Sequence, residues 1–115
     1  MAVPTDPRDL RRLAATFGGL SHPTRLLILE ALRTSGEPMS PKQLAEAVTP
    51  TTSLANLAHH TRELAGLGAL KPAGTRPVRG AVEHFYGLTS SGRELVALVD
   101  RMIAVDGSDG RGGPG

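Results

Sequence analysis

Apolar residues in the first third of the chain recur at intervals of three and four, which is typical of amphipathic helices. A first helix is predicted from Asp6-Pro7 to Gly18-Gly19, because proline favours the first turn of a helix and glycine favours its end. A second helix is predicted from Pro23 to Ser35-Gly36 on the same grounds. Its expected buried positions are Leu26, Leu29 and Leu32.

A third, short helix is predicted to follow Ser40, which can cap it, with Pro41 in the first helical position. A threonine-rich turn then leads to a fourth helix, which is expected to end at Gly66 and Gly68. On a helical wheel, the face expected to be buried consists of Leu54, Leu57, Ala58, Thr61, Leu64 and Ala65. The opposite face carries Thr52, Asn56, His59 and Glu63, with Ala55 and Arg62 on one flank and His60 on the other.

The periodicity then changes from helical to alternating, which predicts a β-hairpin. The alternating positions of the clearer strand are Val82, His84 and Tyr86. Residues 69–73 are the weaker strand, at an edge, because Pro72 has no N–H to donate to a ladder. A basic loop is expected at 74–80, with Arg76 and Arg79 at the tip of the hairpin.

A last helix is predicted to begin in the segment TSSGREL and to run to about Val105. The polar, glycine-rich residues that follow are expected to be disordered. The predicted organisation is an N-terminal arm at 1–7, one domain at 8–105 and a tail at 106–115.

Composition limits the classes of protein that fit this chain. Its 115 residues suit one domain, and its lack of cysteine excludes disulfides and thiolate metal sites. The N-terminus lacks the pattern of a signal peptide and no apolar run is long enough to span a membrane, so we expect a cytoplasmic protein without membrane contact. The net charge is only +2, but Ser53 to Val82 contains four basic residues against one acidic residue. Such a local patch is either a surface for a polyanion or an ordinary solvated face.

Four phrases occur in a fixed order: LSHPTRLLILEAL, SPKQLAEAV, SLANLAHHTRELAGLGAL and RGAVEHFYGLT. Together they resemble the ArsR-type winged helix-turn-helix transcriptional regulators of bacteria, over roughly Leu10 to Val105. The resemblance implies a mainly α-helical winged helix-turn-helix with a small β-hairpin wing and about five helices, dimerising through its terminal helices. It also implies a homodimer on operator DNA, with Ser53–Leu67 as the recognition helix and Lys71–Gly80 as the wing.

Hydroxyl, amide, imidazole and guanidinium groups can hydrogen-bond base edges and phosphates from within the major groove, and wing arginines can reach the backbone or minor groove. The candidate DNA contacts are Thr52, Ser53, Asn56, His59, His60, Arg62, Lys71, Arg76 and Arg79. The last helix is apolar around more of its circumference than one small core requires, which favours a partner helix over simple burial in its own domain. The candidate dimer contacts are Leu10, Leu13, Phe17, Leu95, Leu98, Val99, Met102 and Ile103.

The sensory sites usual in the resembled family are not visible in this sequence. PKQLAEAV has no cysteine, and the last helix has no histidine, Asp100 and Asp106 being its late carboxylates. Adjacent His59 and His60 point about 100° apart and cannot easily chelate one ion together. A nickel, cobalt or zinc site built across a dimer from histidines and carboxylates stays open, although no cofactor is evident. A separate co-regulatory partner and a winged-helix protein-interaction module are further alternatives, whereas no grouping of residues favours an enzyme.

Overall fold

The computed structural model describes residues 6–48 and 53–111, without the side chains of Leu13 and of residues 105–111. Within these residues the chain forms five helices and one antiparallel hairpin. In chain order they are α1 (Pro7–Gly19), α2 (Pro23–Ser35), α3 (Pro41–Ala47), α4 (Leu54–Gly66), β1 (Leu70–Val78), β2 (Ala81–Leu88) and α5 (Ser90–Arg111). The predicted architecture of helices followed by a late hairpin and a last helix is confirmed.

The starts of the helices follow from local chemistry. Asp6 accepts a hydrogen bond from the Arg8 N–H at 2.9 Å and so caps α1. Ser40 and Gln43 form a reciprocal capping box at the start of α3. Gly36 ends α2 in the left-handed region, at a φ of 71°. These positions are those at which the sequence predicts the helix ends.

The hydrophobic core lies around α2, which contacts α3, α4, α5 and β2. Of the three positions predicted to be buried on α2, Leu29 and Leu32 are in the core, whereas Leu26 is only half-buried. Ile28 is fully buried instead, because α2 is covered on several sides rather than along one stripe. The core cluster is Ile28, Leu29, Leu32, Leu44, Leu57, Leu64, Ala69, Leu70 and Val96.

The hairpin is longer than the sequence predicts. β1 continues to Val78, so the loop expected at 74–80 is wrong and the turn is limited to Arg79-Gly80. Both turn residues have positive φ, 44° and 80°, as a two-residue hairpin turn of the primed type requires. Pro72 is in register with Tyr86, and the ladder is irregular at the next two residues before it resumes at Thr75. Met39 and Tyr86 exchange both backbone hydrogen bonds at 2.9 Å, which fixes the hairpin to the segment before α3.

The last helix is also longer than expected. α5 continues to Arg111, past the end predicted near Val105 and into the segment expected to be a disordered tail. A glycine within a helix costs only about 1 kcal/mol relative to alanine, so Gly107 and Gly110 disfavour the helix without forbidding it. Residues 112–115 and residues 1–5 lie outside the described part of the chain. None of the helices in the described ranges is both long and apolar enough to cross a membrane.

Candidate nucleic-acid interface

The fourth helix has one buried face and one exposed face, as its pattern predicts. Leu57, Thr61 and Leu64 are buried against the core, and the Thr61 hydroxyl donates to the Leu57 carbonyl at 2.8 Å, which satisfies it within the helix. The exposed face presents Ser53, Asn56, His59 and Arg62. Leu54 differs from the expectation, because it is 52% exposed at the first turn of α4.

A groove of ≈ 270 Å³ separates the outer side of α4 from the hairpin. Leu54 and Ala58 form one wall of the groove, and Val82 and Tyr86 form the other. The basic side chains of Arg62 and Lys42 line it as well. The sequence-based candidate set omits Lys42, because the count of local charge began at Ser53. Its position in the first turn of α3, the helix that precedes α4, is a signal that could have placed it in that set.

Arg79 and Arg76 have different surroundings, although the sequence predicts both at the hairpin tip. Arg79 lies in the two-residue turn and is exposed. Arg76 lies on β1 opposite Glu83, with its Nη2 2.6 Å from Oε1 and its Nε 3.2 Å from the same oxygen. Its guanidinium is also 5.5 Å from the centroid of the Phe85 ring. The placement of Arg76 at the tip is therefore corrected, because the extended ladder moves it into the strand and Glu83 holds it there.

Glu83 connects the hairpin to the start of α3. Its second carboxylate oxygen accepts a hydrogen bond from the buried hydroxyl of Ser40. The bonds from Ser40 and then from Arg76 hold the pKa of Glu83 below its ordinary value, so the carboxylate is charged at neutral pH. Glu83 thus fixes the position of Arg76 and connects the hairpin to α3, the helix that precedes α4.

His60 is predicted to be a DNA contact, and the structure places it elsewhere. It is 8% exposed, its ring centroid is 4.1 Å from that of His22, and its Nδ1 accepts a hydrogen bond from Arg25 Nε at 3.0 Å. Burial, with His22, Arg25 and His59 close by, lowers the pKa of His60 below the ordinary 6.5. His60 is therefore withdrawn from the candidate contacts. The wheel places it on a flank of α4, and only the packing of α2 shows that this flank is covered.

The other candidate contacts divide into three groups. Thr52 lies outside the described residues. Ser53 uses its hydroxyl to cap α4, accepting from the Asn56 N–H at 3.1 Å. Lys71 pairs with Gly87 at the opposite end of the hairpin from Arg79, and it lines a separate cleft together with Arg93. The structure thus groups Asn56, His59 and Arg62 on α4 and does not bring Lys71 into the groove.

Large apolar side chains are exposed on both terminal helices. On α5, Met102 is 60% and Ile103 is 62% exposed, and Leu98 is exposed as well. On α1, Leu10 is 50% and Phe17 is 58% exposed, whereas nothing is described for the side chain of Leu13. Leu95 packs against the core and Val99 is half-buried, so these two candidates have contacts within the protomer.

The described residues contain no group of three histidine, aspartate or glutamate side chains placed to hold a metal ion. Asp100, a late carboxylate of α5, instead faces α2. Its Oδ2 lies 3.2 Å from Arg33 Nε, and Arg33 Nη2 lies 2.9 Å from Glu30 Oε1. A hydrogen bond with Asp100 and partial burial raise the pKa of Glu30, so the two carboxyl groups and one guanidinium form a link between α2 and α5.

Comparison with known proteins agrees with this geometry. A family model described as a helix-turn-helix domain matches residues 20–72. The reduced form of YodB, a transcriptional regulator from B. subtilis, is 24% identical, with a TM-score of 0.69 over 96% of this chain and 99% of that chain. The homodimeric winged helix-turn-helix DNA-binding domain of Mb0332 from Mycobacterium bovis, a possible ArsR-family transcriptional regulator, is 21% identical, with a TM-score of 0.65 over 92% of each chain. A comparison with curated proteins finds no match.

The similarity to these solved structures extends over nearly the whole chain, and the family match covers the segment from the end of α1 to the start of β1. These matches do not assign the chain to the ArsR type, which stays a prediction from the sequence. The described residues have a winged helix-turn-helix fold, in which residues 20–72 match the helix-turn-helix model and the hairpin and α5 follow.

Proposed function

We propose that this protein is a sequence-specific DNA-binding transcriptional regulator. The observation that carries the proposal is the exposed polar face of α4, where Asn56, His59 and Arg62 stand free of the core beside a groove with a second basic residue, Lys42. An α-helix of this kind fits the major groove of B-DNA, which is about 12 Å wide. An amide can pair with adenine and a guanidinium with guanine or phosphate.

The wing complements this helix in the proposed complex. Arg79 is exposed at the turn of the hairpin, so a duplex that receives α4 meets it on the adjoining backbone or minor groove. Lys42, at the start of α3, lines the groove between α4 and the hairpin and adds a contact to phosphate. Arg76 supports the hairpin through Glu83 and is not a primary contact.

The protein acts as a homodimer in this proposal. Leu98, Met102 and Ile103 are exposed apolar side chains on α5 that a second copy would cover, and Leu10 and Phe17 are exposed on α1. The related domain of Mb0332 is described as homodimeric. Two recognition helices related by a two-fold axis read half-sites about 34 Å apart, which makes the proposed operator a near-palindrome.

The experiment that tests the proposal is fluorescence anisotropy of the purified protein on duplex DNA from upstream of its own coding sequence. A scrambled duplex of equal length is the control, and both are titrated across a salt series. A preference of about 10³-fold or more for the upstream duplex is expected for a specific regulator. Equal and weak binding to both duplexes would contradict sequence-specific recognition and direct attention to a protein partner.

The same experiment is repeated with metal ions, because the sequence leaves a response to metal open. The protein is titrated after treatment with a chelator and again with nickel, cobalt or zinc. A change in affinity on metal addition would support a site assembled between protomers, since the described residues of one protomer hold no group of three ligands. Unchanged affinity would argue for a regulator that responds to another signal or to a co-regulatory protein.

A further inference from the structure

We infer that Arg25 and His60 form a positioning pair that holds the recognition helix α4 in its DNA-competent orientation only while His60 is neutral. The inference rests on the proposed function, because the position of α4 matters to DNA only if α4 is the helix that reads it. In this inference Arg25 and His60 control DNA affinity although neither of them contacts the duplex.

Arg25 joins three elements from a partly enclosed position, its side chain being 14% exposed. Its Nε donates to His60 Nδ1 on α4 at 3.0 Å, and its Nη1 donates to the Gly19 carbonyl at the end of α1 at 3.1 Å. Its Nη2 lies 3.9 Å from Glu63 Oε1, also on α4. The guanidinium of α2 thus contacts two successive turns of the recognition helix.

The direction of the Arg25–His60 hydrogen bond makes it sensitive to protonation. A guanidinium only donates and does not lose its proton, so Nδ1 of His60 must carry a lone pair and the ring proton must reside on Nε2. When His60 takes up a second proton, Nδ1 becomes a donor, and two donors with like charge then face each other. The bond that holds α4 against α2 is then lost.

The groups around His60 oppose its protonation. His22, at the cap of α2, lies against the His60 ring with the two ring planes tilted by 49°, His59 is 5.6 Å away between ring centroids, and Arg25 is permanently charged. Glu63 is the one carboxylate facing the cluster within the described part of the chain, and it is half exposed and lies at 3.9 Å from Arg25. The pKa of His60 is accordingly lower than 6.5, first because of burial and then because His22, Arg25 and His59 lie close to it. The neutral pair is therefore fully intact above the ordinary pKa of 6.5 and is lost as the pH falls through the lowered pKa of His60.

His59 is a second imidazole on the same helix and must be removed from the measurement. It is exposed on the outer face of α4, where it can contact the duplex directly. The matched pair of proteins is therefore the full chain with His59→Asn and the full chain with His59→Asn and His60→Asn. The asparagine carbonyl at position 60 can accept from Arg25 in the place of Nδ1, and it does not titrate.

The affinity of both variants for a fluorescein-labelled duplex from upstream of the gene is measured from about pH 8 to about pH 5.5, a range that brackets 6.5. With His60 present, we expect affinity to fall by up to about tenfold per subunit at the acid end. About tenfold is the upper limit, because a histidine with the ordinary pKa of 6.5 is about tenfold more protonated than neutral at about pH 5.5, and the pKa of His60 is lower. With His60→Asn added, this acid loss is expected to be absent. The same acid loss in both variants would overturn the inference.

A second readout separates failure of this inference from failure of the proposed function. Long-range proton–nitrogen NMR on the wild-type chain without DNA reports the His60 tautomer, and amide shifts report the position of α4. We expect an unprotonated Nδ1 at neutral pH, and we expect the amide chemical shifts of α4 to change as His60 titrates. A protonated Nδ1 at neutral pH, or static α4 amides during the titration, would overturn the pair even if DNA binds. Absence of DNA binding at every pH, with the NMR result as expected, would refute only the proposed function.

Discussion

Arg76 and Arg79 show at the scale of single residues how neighbours decide the role of a side chain. Both are wing arginines in the sequence, but Glu83 binds the guanidinium of Arg76, whereas Arg79 occupies the turn. An arginine already paired with a carboxylate gains less from a phosphate, because the existing ion pair must be given up.

Arg79→Ala and Arg76→Ala are expected to differ in their effect on the salt dependence of DNA binding. Loss of Arg79 removes a phosphate contact, which lowers affinity for all duplexes alike and reduces the salt slope by about 1 per protomer. Loss of Arg76 leaves the slope nearly unchanged, since its charge is matched by Glu83. Equal reductions in slope would mean that both arginines reach the backbone.

Asn56→Ala tests base reading by α4. Asn56 is exposed on the outer face, and its backbone N–H, not its side chain, engages the Ser53 cap. Substitution should leave the helix intact and remove about 1–3 kcal/mol of discrimination between the upstream and scrambled duplexes. The measurement is the ratio of the two affinities, and an unchanged ratio with equal loss on both duplexes would contradict a base contact.

At the scale of elements, the hairpin and α5 are attached to the core through very close backbone contacts. The Thr89 hydroxyl donates to the carbonyls of Gly68 and Ala69 at 2.6 and 3.1 Å, and the same oxygen accepts from the Gly92 N–H. Gly92 lies so near the Ala69 carbonyl oxygen that a Cβ would collide with backbone. The first turn of α5 is thus packed against the end of the helix-turn-helix without room for a side chain.

Gly92→Ala is therefore expected to destabilise the fold by about 1–3 kcal/mol, because the atom it meets belongs to the backbone and cannot turn aside. Gly66→Ala is the matched control, since a Cβ there meets nothing within 4 Å and alanine favours the helix by up to about 1 kcal/mol. Urea unfolding followed by circular dichroism compares the two. A Gly92 variant as stable as the Gly66 variant would show that α5 can move away from Ala69.

At the scale of the whole molecule, the apolar surface is distributed unevenly. α2 and the inner face of α4 form one enclosed core, whereas α1 and the outer side of α5 leave large side chains in water. A surface of this kind on two terminal helices is typical of an interface between copies of a chain.

Replacement of both Leu98 and Met102 by Glu is expected to convert the proposed dimer to a monomer that remains folded. Both positions are exposed in the protomer, so charge there costs the monomer little but is strongly disfavoured when a second copy covers it. Leu27→Glu is the control, being an exposed apolar position on α2, outside the terminal helices. Light scattering gives the mass of each variant, and an intact dimer after the double replacement would place the interface elsewhere.

The sequence by itself determined the features that depend on a few neighbouring residues. Proline and capping side chains at Pro7 and Ser40 set the starts of helices, and periodicity assigned the inner and outer faces of α4 except at Leu54 and His60. These features follow from local hydrogen bonding and from the 3.6-residue period, both of which are visible in a linear pattern.

Only the tertiary structure decided the features that depend on distant partners. Arg25 meets His60 across 35 positions, and Glu83 gathers Ser40 and Arg76 from two other elements. Neither contact has a linear signature, because the chain must fold before these groups approach. For the same reason, a histidine on the flank of α4 that appears free to contact DNA is in fact covered by α2.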